Sequence, residues 1–189
     1  MKKLLIPFLL LSSPALAEPF TYGPENCEFQ ITFPEKPFIE KKCGQSVTDC
    51  AEVATYTKAV GANSSTNFRV TCNSLSPDEI QKYTTAVVEE TLKQLVKSNN
   101  LIPYDSQSSD KDGYKSSSTI SLSFRDDKAV IYNAQIWMGK KSMFTLEAEM
   151  IGEDNDEIQS IFASILRNTY PKDRKPVVEV PPAEVKKTQ

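Results

Sequence analysis

The residues with the most available chemistry are four cysteines, at positions 27, 43, 50 and 72. They could hold a zinc ion, form a redox pair or close two disulfides. A four-cysteine zinc site commonly uses paired C-x-x-C knuckles. The gaps here are 16, 7 and 22 residues, so no knuckle is present. An even number of cysteines in an exported chain points instead to two disulfides. The chain contains no histidine, which removes Ser-His-Asp and Cys-His catalysis, histidine-ligated zinc and the commonest general base. Its six glycines, at 23, 44, 61, 113, 139 and 152, are all isolated. No glycine-rich phosphate loop or dinucleotide fingerprint can be assembled from them.

Four weaker constellations remain. Asp110-Lys111-Asp112-Gly113 has the flavour of a calcium loop, but in EF-hand register Ser108 and Thr119 fall where an acid and a bidentate glutamate belong. A solvated turn accounts for it better. Glu153-Asp154-Asn155-Asp156-Glu157 is acidic enough to suggest metal, yet acids at a helix start need no metal to explain them. Tyr132 and Trp137 could line a ligand pocket, although aromatics in a central strand ordinarily serve the core. The many serines and lysines show no spacing that builds a Ser-Lys hydrolase. No catalytic, metal or cofactor-binding residue is therefore expected, and no cofactor.

These residues need elements to place them. At the start, Lys2-Lys3, the apolar run Leu4–Leu11 and the small-x-small triplet Ala15-Leu16-Ala17 have the order of a cleavable signal peptide over 1–17. Cleavage between Ala17 and Glu18 is expected, with a soluble product in the periplasm or outside the cell. The run is too short to cross a bilayer, which takes about 20 apolar residues. Removing 1–17 leaves 20 basic against 25 acidic residues, a balance that disfavours nucleic acid and anionic lipid as partners. Residues 18–25 form a short lead. From Pro171 the chain carries prolines and mixed charge without aromatics, as a disordered tail over 171–189 would. Between them, 26–170 has the size of one domain.

Within that domain, 27–33 alternates apolar and polar residues as a half-buried strand does. Pro34–Pro37 turns the chain, so that a hairpin would bring Cys27 opposite position 43 or 44. Strands are expected over 38–43, 51–60 and 68–72, with a turn at 61–65. Ser76-Pro77-Asp78-Glu79 is a capping box that opens one helix running to about Ser98, with Ile80, Tyr83, Val87, Thr91 and Leu95 on one stripe. Asp105–Gly113 reads as a polar loop. Three strands follow, with Ile120, Leu122 and Phe124 alternating with serines in the first. Val130, Tyr132, Ala134, Ile136 and Met138 share a face of the second, and Phe144, Leu146, Ala148 and Met150 a face of the third. A last helix opens at Asp154–Glu157 and buries Ile158, Ile161, Phe162 and Ile165. The fold class is α+β: a mostly antiparallel sheet of about seven strands with two main helices packed on it.

Phe29-Gln30-Ile31-Thr32-Phe33-Pro34 followed by Pro37 resembles the F-x-I-x-F-P-x-x-P opening of many small exported bacterial proteins. Phe162-Ala163-Ser164-Ile165-Leu166 is similar to the ending of their late helix. The layout resembles the PsbP-like fold, an antiparallel sheet with helices on both faces. That resemblance implies binding and assembly roles and supplies no active-site residues.

The functional expectation is an exported, non-catalytic domain that binds a protein or small ligand of the cell envelope. The alternatives are a hydrolase using carboxylate or Ser-Lys chemistry, and a secreted factor acting on a host. Strand parity also bears on the disulfides. Cys27 shares a face with Phe29, Ile31 and Phe33, and Cys72 with Phe68 and Val70, so Cys27–Cys72 is expected as a buried staple. Cys43–Cys50 would then clasp a six-residue connection. The competitor, Cys27–Cys43 with Cys50–Cys72, is disfavoured because a turn at 61–65 sets Cys72 nearer Thr55 than Cys50.

Overall fold

A computed structural model describes residues 18–43 and 50–174. Residues 1–17, where a signal peptide is expected, 44–49 and 175–189, most of the expected tail, lie outside the described residues. The elements are β1 (Phe20–Tyr22), β2 (Phe29–Phe33), β3 (Phe38–Cys43), β4 (Cys50–Val60), β5 (Ser64–Ser74), α1 (Pro77–Lys82), α2 (Thr85–Ser98), β6 (Asp105–Lys111), β7 (Tyr114–Arg125), β8 (Lys128–Met138), β9 (Ser142–Gly152), α3 (Asp156–Arg167) and β10 (Thr169–Pro171). They build an α+β sandwich. Its main sheet has seven strands in the order β3-β4-β5-β9-β8-β7-β6, and a three-stranded sheet has the order β1-β2-β10. All strand pairs are antiparallel.

The alternation of β2 explains why the small sheet lies where it does. Phe29, Ile31 and Phe33 are all 0% exposed and pack on one face of the main sheet. There they meet Tyr56, Phe68, Val70, Phe144 and Leu146, with Phe162 and Ile165 of α3 closing the layer. On the opposite face Val88, Leu92 and Val96 of α2 cover Tyr132, Ala134, Ile136 and Met138. The two faces of β8 thus serve two cores, one closed by α3 and the other by α2.

Several sequence expectations are corrected. The strand at 29–33 does not form a hairpin with 38–43. It leaves the main sheet and pairs with β1 and β10, and its apolar face lies across the main sheet on Tyr56, Phe68 and Phe144. The seventh strand of the main sheet is instead β6, within the segment read as a polar loop. It is an edge strand exposed along its whole length, so it carries no apolar period to reveal it. The single helix expected from 77 to 98 is two helices. Ser76 and Glu79 form the capping box, but Tyr83 leaves helical geometry and Thr84 caps a second helix by accepting from the Val87 N–H. The turn after β4 is tighter than 61–65, so Cys72 stands opposite Glu52 rather than Thr55.

The largest difference is in β7. Ile120, Leu122 and Phe124 face outward, with Phe124 81% exposed, while Ser117, Thr119 and Ser121 are buried beneath α2. Small hydroxyl side chains let the helix approach this strand closely. Two of them bond across to the edge strand, Ser117 with Ser108 at 3.0 Å and Thr119 with Ser106 at 2.9 Å.

The β7–β8 turn is Asp126-Asp127, both with positive φ (51° and 61°), a two-residue turn that favours Asn-Gly. Replacing Asp127 by glycine removes a left-handed cost and should raise unfolding stability by about 1 kcal/mol. Urea denaturation would measure it, and an unchanged or lowered midpoint would contradict the assignment.

Candidate functional site

Antiparallel register places side chains in rows across a sheet. Ser118 is paired with both Gln107 of β6 and Gln135 of β8, and Ser116 with both Ser109 and Trp137. Two neighbouring rows result, Gln107–Ser118–Gln135 and Ser109–Ser116–Trp137, on the face away from α2. These six residues line a cleft of about 370 Å³ closed on one side by Leu166 and Thr169. No lining residue carries a formal charge.

The polar groups of the cleft are held in place. The Trp137 indole N–H donates to Gln135 Oε1 at 3.0 Å, and Gln135 Nε2 donates to Asn133 Oδ1 at 3.1 Å. Gln135 keeps one amide hydrogen and one carbonyl lone pair for a ligand. Trp137 itself leans on buried Phe29, with ring centroids 6.0 Å apart. Beyond these rows the face turns apolar through Ile120, Leu122 and Phe124.

The end of the described chain is pinned to the start of the fold and to the β6–β7 turn. Lys172 Nζ donates to the carbonyls of Gly23 and Pro24 at 3.0 and 2.6 Å. The Tyr114 hydroxyl donates to Asp173 at 2.8 Å, and Arg174 lies over the Tyr114 ring and pairs with Asp112 at 2.9 Å. Burial, and then the Asp173 carboxylate, push the Tyr114 phenol up to about 12. Tyr114 therefore stays protonated and donates.

The residues singled out in the sequence are dispersed. Cys27 is bonded to Cys72 with Cα atoms 6.0 Å apart, joining the small sheet to the large one. Cys43 is bonded to Cys50, its register partner across β3 and β4. Asp112-Gly113 forms the two-residue turn between β6 and β7, both with positive φ. Asp112 pairs with Arg174 and Asp110 accepts from Thr85. Asn155 caps α3 by accepting from Ile158, and Glu153 and Asp154 accept from Asn63 and Gln159. Among the described residues no group of three or more His, Cys, Asp or Glu side chains is placed to hold a metal ion.

Trp137 and Tyr132 fall on opposite faces of β8. Tyr132 is buried under α2, where its hydroxyl donates to Glu147 at 2.8 Å. Burial first, and then the Glu147 carboxylate, raise its phenol well above the ordinary tyrosine range. Glu147 and Glu149 share one face of β9 and are partly buried, the arrangement a carboxylate hydrolase would want. Each is held by an arginine, Arg69 at 2.9 Å and Arg125 at 2.9 Å.

Sequence reasoning missed Gln107, Ser109, Ser116, Ser118 and Gln135. One signal was present: Gln135 and Trp137 share a parity in the strand whose other face is wholly apolar. An amide and an indole on the second face of a central strand mark a surface that is not simply core.

No family model matches the chain, and no curated protein matches it. Solved structures do. One is the crystal structure of LpqN, involved in cell envelope biogenesis of Mycobacterium tuberculosis; it is 9% identical, covers 84% of this chain and 86% of its own, and has a TM-score of 0.28. At that score no residue or role is carried over. No helix among the described residues is long and apolar enough to cross a membrane.

Proposed function

We infer that this chain is an exported, non-catalytic binding domain of the bacterial cell envelope, and that the Trp137 cleft takes a neutral, hydroxyl-rich ligand of the glycan type. The signal-like start and two disulfides support export. Helices on opposite faces of an antiparallel sheet support the PsbP-like reading, and with it a binding role. The observation that carries the ligand assignment is the pair of rows at the cleft. Hydroxyl and amide groups beside an indole, with no charge among them, match a ligand that offers hydroxyls and a weakly polar ring face. An anion or cation would be desolvated there without a counter-charge. The apolar run along Ile120 and Leu122 continues the floor for the less polar part of the ligand.

Trp137 is the only tryptophan in the chain, so its emission reports the cleft directly. Titration with maltotriose or chitotriose should give a saturable change, and inorganic phosphate or oligogalacturonate should give none. Gln135→Ala removes one orienting amide and should weaken binding about tenfold. Equal response to charged and neutral probes, or no response to either sugar, would reject the assignment.

A further inference from the structure

We propose that β6 is a dimerisation edge, and that two copies of this chain join through it into one continuous fourteen-stranded sheet. The inference stands apart from the ligand assignment, since it is read from oligomeric state and not from binding.

The Asp112-Gly113 turn joins Lys111 to Tyr114 directly. In a two-residue hairpin the flanking pair exchanges both backbone hydrogen bonds. The odd-numbered residues of β6 therefore bond to β7, and Ser106, Ser108 and Asp110 turn their N–H and C=O groups outward. All seven residues of β6 are exposed and, among the described residues, no strand pairs on its outer side, so this is an open edge of the kind that recruits another strand. The other edge of the main sheet, β3, is defended. Pro37 precedes it, Glu40, Lys41 and Lys42 occupy it, and the Cys43–Cys50 bond ties its end. Within β6 the only lysine is the last residue.

Sequence decides the occupant. Antiparallel pairing of β6 with its own copy, centred on Ser108, sets Ser108 against Ser108 and Ser106 against Asp110 at the hydrogen-bonded positions. That arrangement satisfies every outward group of the three residues. At the intervening positions Gln107 meets the partner's Ser109, and Asp105 meets the partner's Lys111. Each end of the strand thus carries the charge opposite to the one it faces, twice by symmetry. No like charges are opposed. The contact is isologous and closes on itself.

The dimer also completes the site. Gln107 is the outermost member of one row and Ser109 of the other, so pairing fuses each row with the partner's. Gln135, Ser118 and Gln107 are continued by the partner's Ser109, the partner's Ser116 and the partner's Trp137. Six side chains at about 4.8 Å spacing span about 24 Å, a length suited to an extended chain molecule.

The test uses the chain from Glu18 to Gln189, followed by sedimentation velocity across a concentration series. A dimer is expected. Ser108→Pro deletes an outward N–H while leaving the β7 ladder intact, as proline on an edge strand allows, and should give monomer with unchanged circular dichroism. Asp105→Lys places lysine against the partner's Lys111 and should raise the dimer dissociation constant at least about tenfold. Adding Lys111→Asp to it should restore association, a rescue that misfolding cannot imitate. A chain that stays monomeric throughout the series overturns the proposal. So does a dimer indifferent to Ser108→Pro and to the charge swap. Dimerisation that appears only after deletion of 175–189 would show that the tail holds the edge, and would equally overturn it.

Discussion

Phe29→Ala is expected to destabilise the protein by about 4 kcal/mol and to abolish the response of Trp137 to ligand. Phe29 is fully buried, and a phenylalanine truncated to alanine in a packed core costs about 3–5 kcal/mol. This ring sits where three others converge, with Tyr114 at 5.5 Å, Phe144 at 5.9 Å and Trp137 at 6.0 Å. Such ring pairs add to simple area burial. The site cannot readily collapse to fill the void, because the chain is fastened at the two residues just before it. Glu28, the preceding residue, accepts from the Lys141 and Ser142 backbone N–H groups at 2.8 and 3.1 Å. Cys27 before it is bonded to Cys72. With β2 held and its ring gone, Trp137 loses the surface that orients it toward the cleft. Urea denaturation gives the energy, and Trp137 emission should shift to the red. Phe29→Leu keeps most of the volume and should retain most of both. A loss below about 1 kcal/mol for the alanine variant would show that Phe29 is not the support of the cleft.

How much of this could be foreseen depends on whether an element had to declare itself by pattern. The second strand did, because Phe29, Ile31 and Phe33 are buried on one side and polar on the other. The same holds for the shared parity of Phe144, Leu146 and Ala148, and for the Ser76–Glu79 box. What those patterns could not say is which surface each strand meets. Alternation in 29–33 is equally compatible with joining the main sheet and with lying across it. The partners that decide the question, Phe20–Tyr22 and Thr169–Pro171, are three residues each and too short to show a period. β6 has no buried face and so left no apolar trace. β7 misled for the opposite reason. Its apolar residues are on the open face and its serines are under a helix, which inverts the rule that alternation points the apolar set inward. The candidate cleft is assembled by these two strands with β8, so the part of the chain that carries the site is the part least legible beforehand.

The disulfides make the second strong prediction, because the two bonds close loops of very different length. Cys27 and Cys72 are 45 residues apart, and Cys43 and Cys50 are 7 apart. Loop-closure entropy for these separations gives about 4 and about 2.4 kcal/mol. Structure points the same way. Cys43 and Cys50 already face each other across an antiparallel pair, so their bond repeats a proximity the ladder supplies. Cys27 and Cys72 belong to different layers. Cys27 leads directly into β2, while Cys72 lies in β5 opposite Glu52 and Phe144, and their bond holds the small sheet to the large one. Register alone would have put Cys50 two residues from the position facing Cys72, so it is the placement of β2 over β5 that selects the pairing. The double variant Cys27→Ala/Cys72→Ala should therefore lose about 4 kcal/mol and Cys43→Ala/Cys50→Ala about 2 kcal/mol in urea denaturation at neutral pH. The first should also expose Trp137, whose support is β2, and the second should leave its emission unchanged. Equal losses, or a reversed order, would mean that the small sheet is held by Phe29, Ile31 and Phe33 alone and that the long-range bond adds nothing to the apolar contact.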